Sequence, residues 1–324
     1  MQRRQFLQYS LATLAAGAAA GLITPVQARG LFGGADHATD AAAFRAMRRY
    51  ADLPCGRIAY VDRGRGKAAL FLHGAPLNSY QWRGAIDRLA AQRRCIAPDC
   101  MGLGYSEPLE NQSLAAADQA TMLAALLDKL AIREVDIVAS DSGGAVAQLF
   151  LVRYPQRVRS LLLTNCDVEI DSPPPKVQPV IEMARNGTLA DATAKWLTDR
   201  ALARSTFGAG VFHDPSRFAD ETIDYYITPL VSTPLRRKQY HAFHLALQPN
   251  PLAGIEATLK RSQVPVRMVW GASDDIFPMA DAEYLDKVFA QSKGIRRVPE
   301  GRLFFQEEYP EVIAEEARRL WGIS

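Results

Sequence analysis

The chain has 324 residues, a formal net charge of +3 and a hydrophobic share of 48%. That share is ordinary for a globular protein, and the length suits one large α/β domain or a core with a small insertion. The near-neutral balance gives no reason to expect nucleic acid or an anionic membrane as a partner, and the 22 Gly and 19 Pro are spread rather than gathered in a low-complexity tract.

In chain order, residues 1–28 resemble a twin-arginine (Tat) export signal. Arg3-Arg4 is followed by Phe6-Leu7, an Ala/Gly/Leu-rich run to Ile23, and small residues around Ala28. The apolar run is short and Gly-interrupted for a membrane span. The expectation is a cleaved leader and a periplasmic or secreted protein, with no integral span after signal removal. Residues 29–50 read as a leader into a short helix. Gly56–Val61 reads as a strand, Arg63–Gly66 as a turn, and Ala68–Leu72 as a strand buried on both faces, because its apolar run does not alternate. Tyr80–Ala91 is expected as helix, Arg94–Pro98 as strand, Leu114–Leu130 as helix and Val135–Ala139 as strand. Gly144–Arg153 follows as helix and Val158–Thr164 as strand. This βαβα alternation predicts a mostly parallel sheet flanked by helices.

The alternation breaks at Asp171-Ser172-Pro173-Pro174-Pro175 and resumes at Val264–Trp270. Residues 172–250 therefore read as a helical lid inserted into a core of 29–171 and 251–324. A helix at Ala280–Phe289, a strand near Ile295–Val298 and a helix from Glu311 complete the chain. Sites in such sheets lie at the carboxyl ends of the strands, which is where an insertion would form a lid.

Four motifs sit at such ends. His73-Gly74-Ala75-Pro76 follows Leu72 and is placed to aim a backbone N–H into the site. Asp99 to Ser106 is a Gly-rich loop after the next strand. Ala139-Ser140-Asp141-Ser142-Gly143-Gly144 joins a strand to a helix in the manner of a nucleophile elbow. Ser142 fits a Ser-x-Ser-x-Gly register, but the two glycines normally stand two and three positions after the nucleophile, which selects Asp141. The N–H groups of Ser142 and Ala75 would form an oxyanion hole. Finally, Trp270-Gly271-Ala272-Ser273-Asp274-Asp275 places an acid after a strand, Asp274 ahead of its neighbour Asp275.

Together the motifs resemble the α/β-hydrolase superfamily over roughly residues 50–324. The stretches HGAPLNSYQWRG and RCIAPDCMGLGYSEP are most similar to haloalkane dehalogenases and epoxide hydrolases. The resemblance implies an Asp nucleophile that attacks carbon to form an ester, and a His–acid pair that activates water to hydrolyse it. Here the chain departs from the pattern. Residues 299–308 read PEGRLFFQEE where the family reads close to PGAGHFLQEE, so Leu303 occupies the histidine position. No histidine follows residue 244. Arg302 is a candidate replacement partner for Asp274 or Asp141. The dehalogenase halide donors are also replaced, a Trp by Ser142 and an Asn by Ala75. Epoxide hydrolases use lid tyrosines to protonate the opening ring, and Tyr225, Tyr226 and Tyr240 are candidates, with His241 and His244 as candidate lid bases.

An aromatic insertion (Phe207, Phe212, Phe218, Tyr225, Tyr226, Phe243) points to a mostly apolar pocket for a small-molecule substrate. The function expected is an exported hydrolase of this type. The alternative is a non-hydrolytic descendant, a ligand-binding protein or a lyase or isomerase, because of Leu303. No nucleotide, flavin or metal motif appears, so no cofactor is expected, and nothing fixes an oligomeric state. Cys55, Cys95, Cys100 and Cys166 lack metal-ligand spacing. They permit three disulfide pairings, buried free thiols being the simpler reading.

Overall fold

The computed structural model describes residues 39–323. The expected signal (1–28) and residues 29–38 lie outside the described residues. The first helix, α1 (Ala41–Met47), leads into β1 (Arg48–Leu53), β2 (Gly56–Arg63) and β3 (Ala68–Leu72). Then come α2 (Arg83–Leu89), β4 (Arg94–Pro98), the two-residue β5 (Glu107–Pro108), α3 (Ala116–Lys129), β6 (Val135–Asp141), α4 (Ser142–Arg153) and β7 (Val158–Cys166). β8 (Val266–Gly271), helix Met279–Val288, β9 (Ser292–Val298) and helices Phe305–Glu308 and Pro310–Trp321 finish the fold.

The strands form one sheet in the order β1-β2-β4-β3-β6-β7-β8-β9, with β5 paired to β2. β2 is antiparallel to its neighbours, and from β4 through β9 every pair is parallel. The α/β architecture expected from the alternation is the one observed. All five side chains of β3 are buried, and they divide between the two faces of the sheet. Leu70 and Leu72 join the larger apolar cluster, while Ala69 and Phe71 join a second one with Trp82 and Ile313. That two-sided burial is why the strand reads as an unbroken apolar run.

Two strands escaped the sequence reading. β1 carries Arg48 and Arg49 at a sheet edge with a single buried side chain, Ala51, so it has no core pattern to detect. β5 is too short to show any period.

Every regular element between β7 and β8 is helical. The main ones are Gln178–Arg185, Leu189–Ala194, Asp220–Val231 and Pro234–Leu245. Among the described residues no helix is long and apolar enough to cross a membrane. The four cysteines are free thiols, three of them buried and Cys55 half-buried.

Candidate active site

β6 ends on Asp141 and α4 begins on Ser142, so Asp141 itself makes the turn. Its backbone sits at φ 54°, ψ −136°, a conformation L-residues adopt rarely and at a cost of about 1–3 kcal/mol. The turn is tight because β6 and α4 pack closely on their surroundings. A Cβ at Gly143 would lie 2.5 Å from the His73 carbonyl oxygen, and one at Gly144 would lie 2.3 Å from Cys166 Cβ. Only glycine fits at either place, which is the physical content of the Asp-Ser-Gly-Gly string. The Asp141 carboxylate accepts hydrogen bonds at Oδ1 from the Ser142 N–H and, at 3.4 Å, from the Ala75 N–H. The two donors expected to form an oxyanion hole thus hold one oxygen of Asp141 itself. Burial pushes the Asp141 pKa up to about 6, against the lowering effect of those N–H groups.

His73 is fully buried. Its Nδ1 lies 2.9 Å from the Gly74 carbonyl oxygen, and its Nε2 accepts from the Cys100 N–H at 2.9 Å. Burial lowers its pKa, so the ring is a neutral strut between the loops after β3 and β4. The Gly74 N–H donates to Gln81 Oε1 at 2.9 Å, fixing the same turn.

Asp274, after β8, is 6% exposed and turned inward. Its Oδ1 accepts from the Ile276 N–H at 3.0 Å. Its Oδ2 accepts from Asn165 Nδ2 at 2.8 Å and from the Phe277 N–H at 3.3 Å. Burial raises its pKa to about 6, and the charge on Asp141 adds to the rise. Asp275 points away and pairs with Lys176 at the surface.

Leu303 is 2% exposed and forms part of a cavity wall that also includes Asp141. The Arg302 side chain is committed elsewhere. Its guanidinium donates to the Ala209 carbonyl oxygen at 2.7 Å, and no ion pair among the described residues joins it to Asp141 or Asp274. The side chains after Leu303 are each committed elsewhere. Gln306 Nε2 donates to Ser140 Oγ at 2.6 Å. Glu307 pairs with Arg83 and accepts from the Tyr226 hydroxyl, both at 2.6 Å. Glu308 accepts from the N–H groups of His213 and Asp214.

The cavity, of about 530 Å³, lies between the strand ends and the inserted helices. Its lining is largely apolar and includes Phe207, Trp196, Met183 and Leu247. Of the candidate tyrosines only Tyr240 lines it. The other two are corrections. The Tyr225 hydroxyl bonds to Arg48, with its ring packed on Phe44, Tyr80 and Tyr105, and the Tyr226 hydroxyl is committed to Glu307. Phe212 and Phe218 support the wall from behind through contacts with Phe207. His241 Nε2 accepts from the Ala190 N–H at 2.9 Å and is not in the lining. His244 is in the lining, with Nδ1 3.0 Å from the Tyr240 carbonyl oxygen, and burial lowers its pKa to about 4.

The sequence reading missed Asp167. It follows the last residue of β7, lines the same cavity as Asp141 and is 5% exposed. The signal that could have found it is general: a polar side chain at the carboxyl end of a buried parallel strand faces the site. Among the described residues no group of three His, Cys, Asp or Glu side chains is arranged to hold a metal.

A family model described as alpha/beta hydrolase fold matches residues 68–309. The chain is similar to haloalkane dehalogenase 2 of Mycobacterium tuberculosis, 26% identical over 298 residues that cover 82% of this chain and 92% of the relative. It is also similar to cis-3-alkyl-4-alkyloxetan-2-one decarboxylase of Shewanella oneidensis, 26% identical over 233 residues, covering 68% and 71% of the two chains. Among solved structures, epoxide hydrolase CorEH shares the fold with a TM-score of 0.72 at 24% identity, over 85% of this chain and 98% of that one.

Proposed function

Because the chain belongs to the α/β-hydrolase fold family, we propose that it is a hydrolase of dehalogenase or epoxide-hydrolase type with Asp141 as nucleophile. Its substrate is a small, mostly apolar molecule bound in the 530 Å³ cavity. The observation that carries this reading is the seating of the Asp141 carboxylate. One oxygen rests on the N–H groups of Ser142 and Ala75, which leaves the other for attack on a substrate carbon. In the resulting ester the held oxygen becomes the carbonyl oxygen. The two N–H donors then lie where negative charge develops when water adds to that carbonyl, which is the geometry an oxyanion hole requires.

A second reading is favoured by Leu303. A lyase, an isomerase or a ligand-binding protein uses the same pocket without a base at that place, and one similar protein is named as a decarboxylase of oxetan-2-ones. A panel of a haloalkane, an epoxide, a carboxylic ester and a four-membered lactone separates the two. The hydrolase reading expects water-derived products, lost in Asp141→Ala by roughly 10³-fold or more. It also expects Leu303→His to raise turnover, by up to roughly 10²–10⁴-fold if a general base is all that is missing. Equal hydrolysis by wild type and Asp141→Ala removes the nucleophile assignment. Alkene and carbon dioxide from the lactone, without hydrolysis of any panel member, supports the second reading instead.

A further inference from the structure

Hydrolysis of an ester on Asp141 needs a proton acceptor, and the cavity offers few. Lys195 is exposed, and Lys176 is paired with Asp275. Burial holds the Tyr240 phenol at about 12, so it carries no negative charge near neutrality. His244 is held at about 4, too weak a base for work at neutral pH. Asp167 is different. The register of β6 on β7 pairs Asp141 with Cys166, the last residue of β7, so Asp167 follows directly after the nucleophile's partner, and the two acids line the same cavity. Asp167 Oδ1 accepts from Ser172 Oγ at 2.7 Å.

We propose that Asp167 takes the place of the missing histidine as the general acid–base group, acting on a water in the 530 Å³ cavity whose wall holds both carboxylates. This rests on Asp141 being the nucleophile. The Asp167 carboxylate removes a proton from water as hydroxide adds to Cγ of the Asp141 ester. The oxyanion is held by the Ser142 and Ala75 N–H groups. It collapses, the bond between Cγ and the alkoxy oxygen breaks, and the departing alkoxide takes the proton back from Asp167. Asp141, now a carboxylic acid, then loses its proton to Asp167 or to solvent. With an epoxide, protonated Asp167 supplies the proton to the opening oxygen during ester formation, and so reaches the second half already ionised.

Burial first, and then the charge on Asp141, hold Asp167 up at about 7. Esterification removes that charge and favours the ionised base when it is needed. The other titratable groups around it are Asp171 in the following loop, Asp281 on helix Met279–Val288, the neighbouring Cys166 thiol, and Lys176 and His244 in the cavity wall.

The test uses 1-bromohexane, because bromide leaves without a proton and alkylation of Asp141 does not call on Asp167. Bromide release and intact mass are followed for wild type and Asp167→Asn. Wild type should turn over repeatedly. Asp167→Asn should release about one bromide per chain, accumulate a hexyl adduct, and turn over roughly 10²–10⁴-fold more slowly. Adduct formation with wild-type turnover in Asp167→Asn overturns this proposal and leaves the Asp141 assignment standing, as does a wild type that itself halts after one bromide. Where no bromide is released, 1,2-epoxyhexane replaces 1-bromohexane as the probe, and no adduct or product from either compound overturns the Asp141 assignment and this proposal with it. Should Asp167→Asn not fold, Ser172→Ala serves. It removes a hydrogen bond that lowers the Asp167 pKa, so the acid limb of the turnover profile should move to higher pH. An unmoved limb overturns the proposal.

Discussion

Asp141 is held between two surfaces that leave it no play. On one side stand the N–H groups of Ser142 and Ala75, and on the other the backbone of Gly74. A Cβ built at Gly74 lies 2.4 Å from Asp141 Cβ, 2.8 Å from its Cγ and 2.9 Å from Phe304 Cε1. Neither Asp141, fixed in a strained turn, nor Phe304, packed against Phe207 and Phe212, is free to yield. Gly74→Ala should therefore displace the carboxylate from its donors. A misplacement of about 1 Å is enough to cost roughly 10²-fold in rate, whereas overpacking of this kind costs about 1–3 kcal/mol of stability. Steady-state kinetics beside urea denaturation would show the first loss exceeding the second; a folded variant with full activity would mean that Asp141 does no chemistry.

At the scale of elements, the loop and short helix after Leu303 tie the site together. Gln306 reaches β6, Glu308 caps the chain at His213 and Asp214, and Glu307 joins α2 to helix Asp220–Val231 through Arg83 and Tyr226. The Arg83–Glu307 pair is nearly buried, with side-chain exposures of 14% and 6%. Arg83→Met leaves the Glu307 carboxylate buried without its cation, a loss of about 3–5 kcal/mol. Arg83→Met/Glu307→Leu should recover much of it, measurable as urea midpoints of the two variants; a single variant as stable as wild type would show that the pair contributes nothing net. This network gives Gln306, Glu307 and Glu308 a structural part that does not depend on the residue at 303. The elements themselves were legible where burial is two-sided, as in β3 and β4, and where glycine has no substitute, as at the elbow. Contacts between distant elements were not legible. Nothing local in Tyr225 and Tyr226 distinguishes them from Tyr240, and only contacts with residues distant in the chain, Phe44, Tyr80 and Glu307, turn them away from the cavity. Asp167 was missed because one acid after a strand forms no motif until β6 stands next to it.

For the whole molecule, the unusual feature is a group of buried acids close to one another, Asp141 and Asp167 in the cavity wall and Asp274 and Asp281 off it. Asp167 and Asp281 are pushed up to about 7, and Asp141 and Asp274 to about 6, in each case chiefly by burial. Each is raised above the ordinary carboxylate value of 3.8, so the folded chain binds protons more tightly than the unfolded chain between pH of about 4 and about 7. Their contribution is fully present below the lower limit, is lost as pH rises through the folded values, and is absent above the upper one. Buried His73 and His244 and half-buried His241 act in the opposite sense, because their lowered pKa values add stability as pH rises toward 6.5. Three histidines oppose four acids, and of these groups only the acids still titrate between pH 6.5 and about 7. Stability should therefore be greater at pH 5 than at pH 8, each unit of net shift being worth about 1.4 kcal/mol. Asp281 allows the cause to be isolated. It is 2% exposed, its Oδ2 accepts no hydrogen bond, and it stands off the cavity wall on helix Met279–Val288. Asp281→Asn removes a carboxylate that must ionise there unpaired, so it should narrow the difference between the two pH values and raise stability at pH 8. Urea denaturation of both chains at pH 5 and pH 8 measures this directly, and a wild type at least as stable at pH 8 as at pH 5 would show that these acids are ionised and satisfied in the folded state.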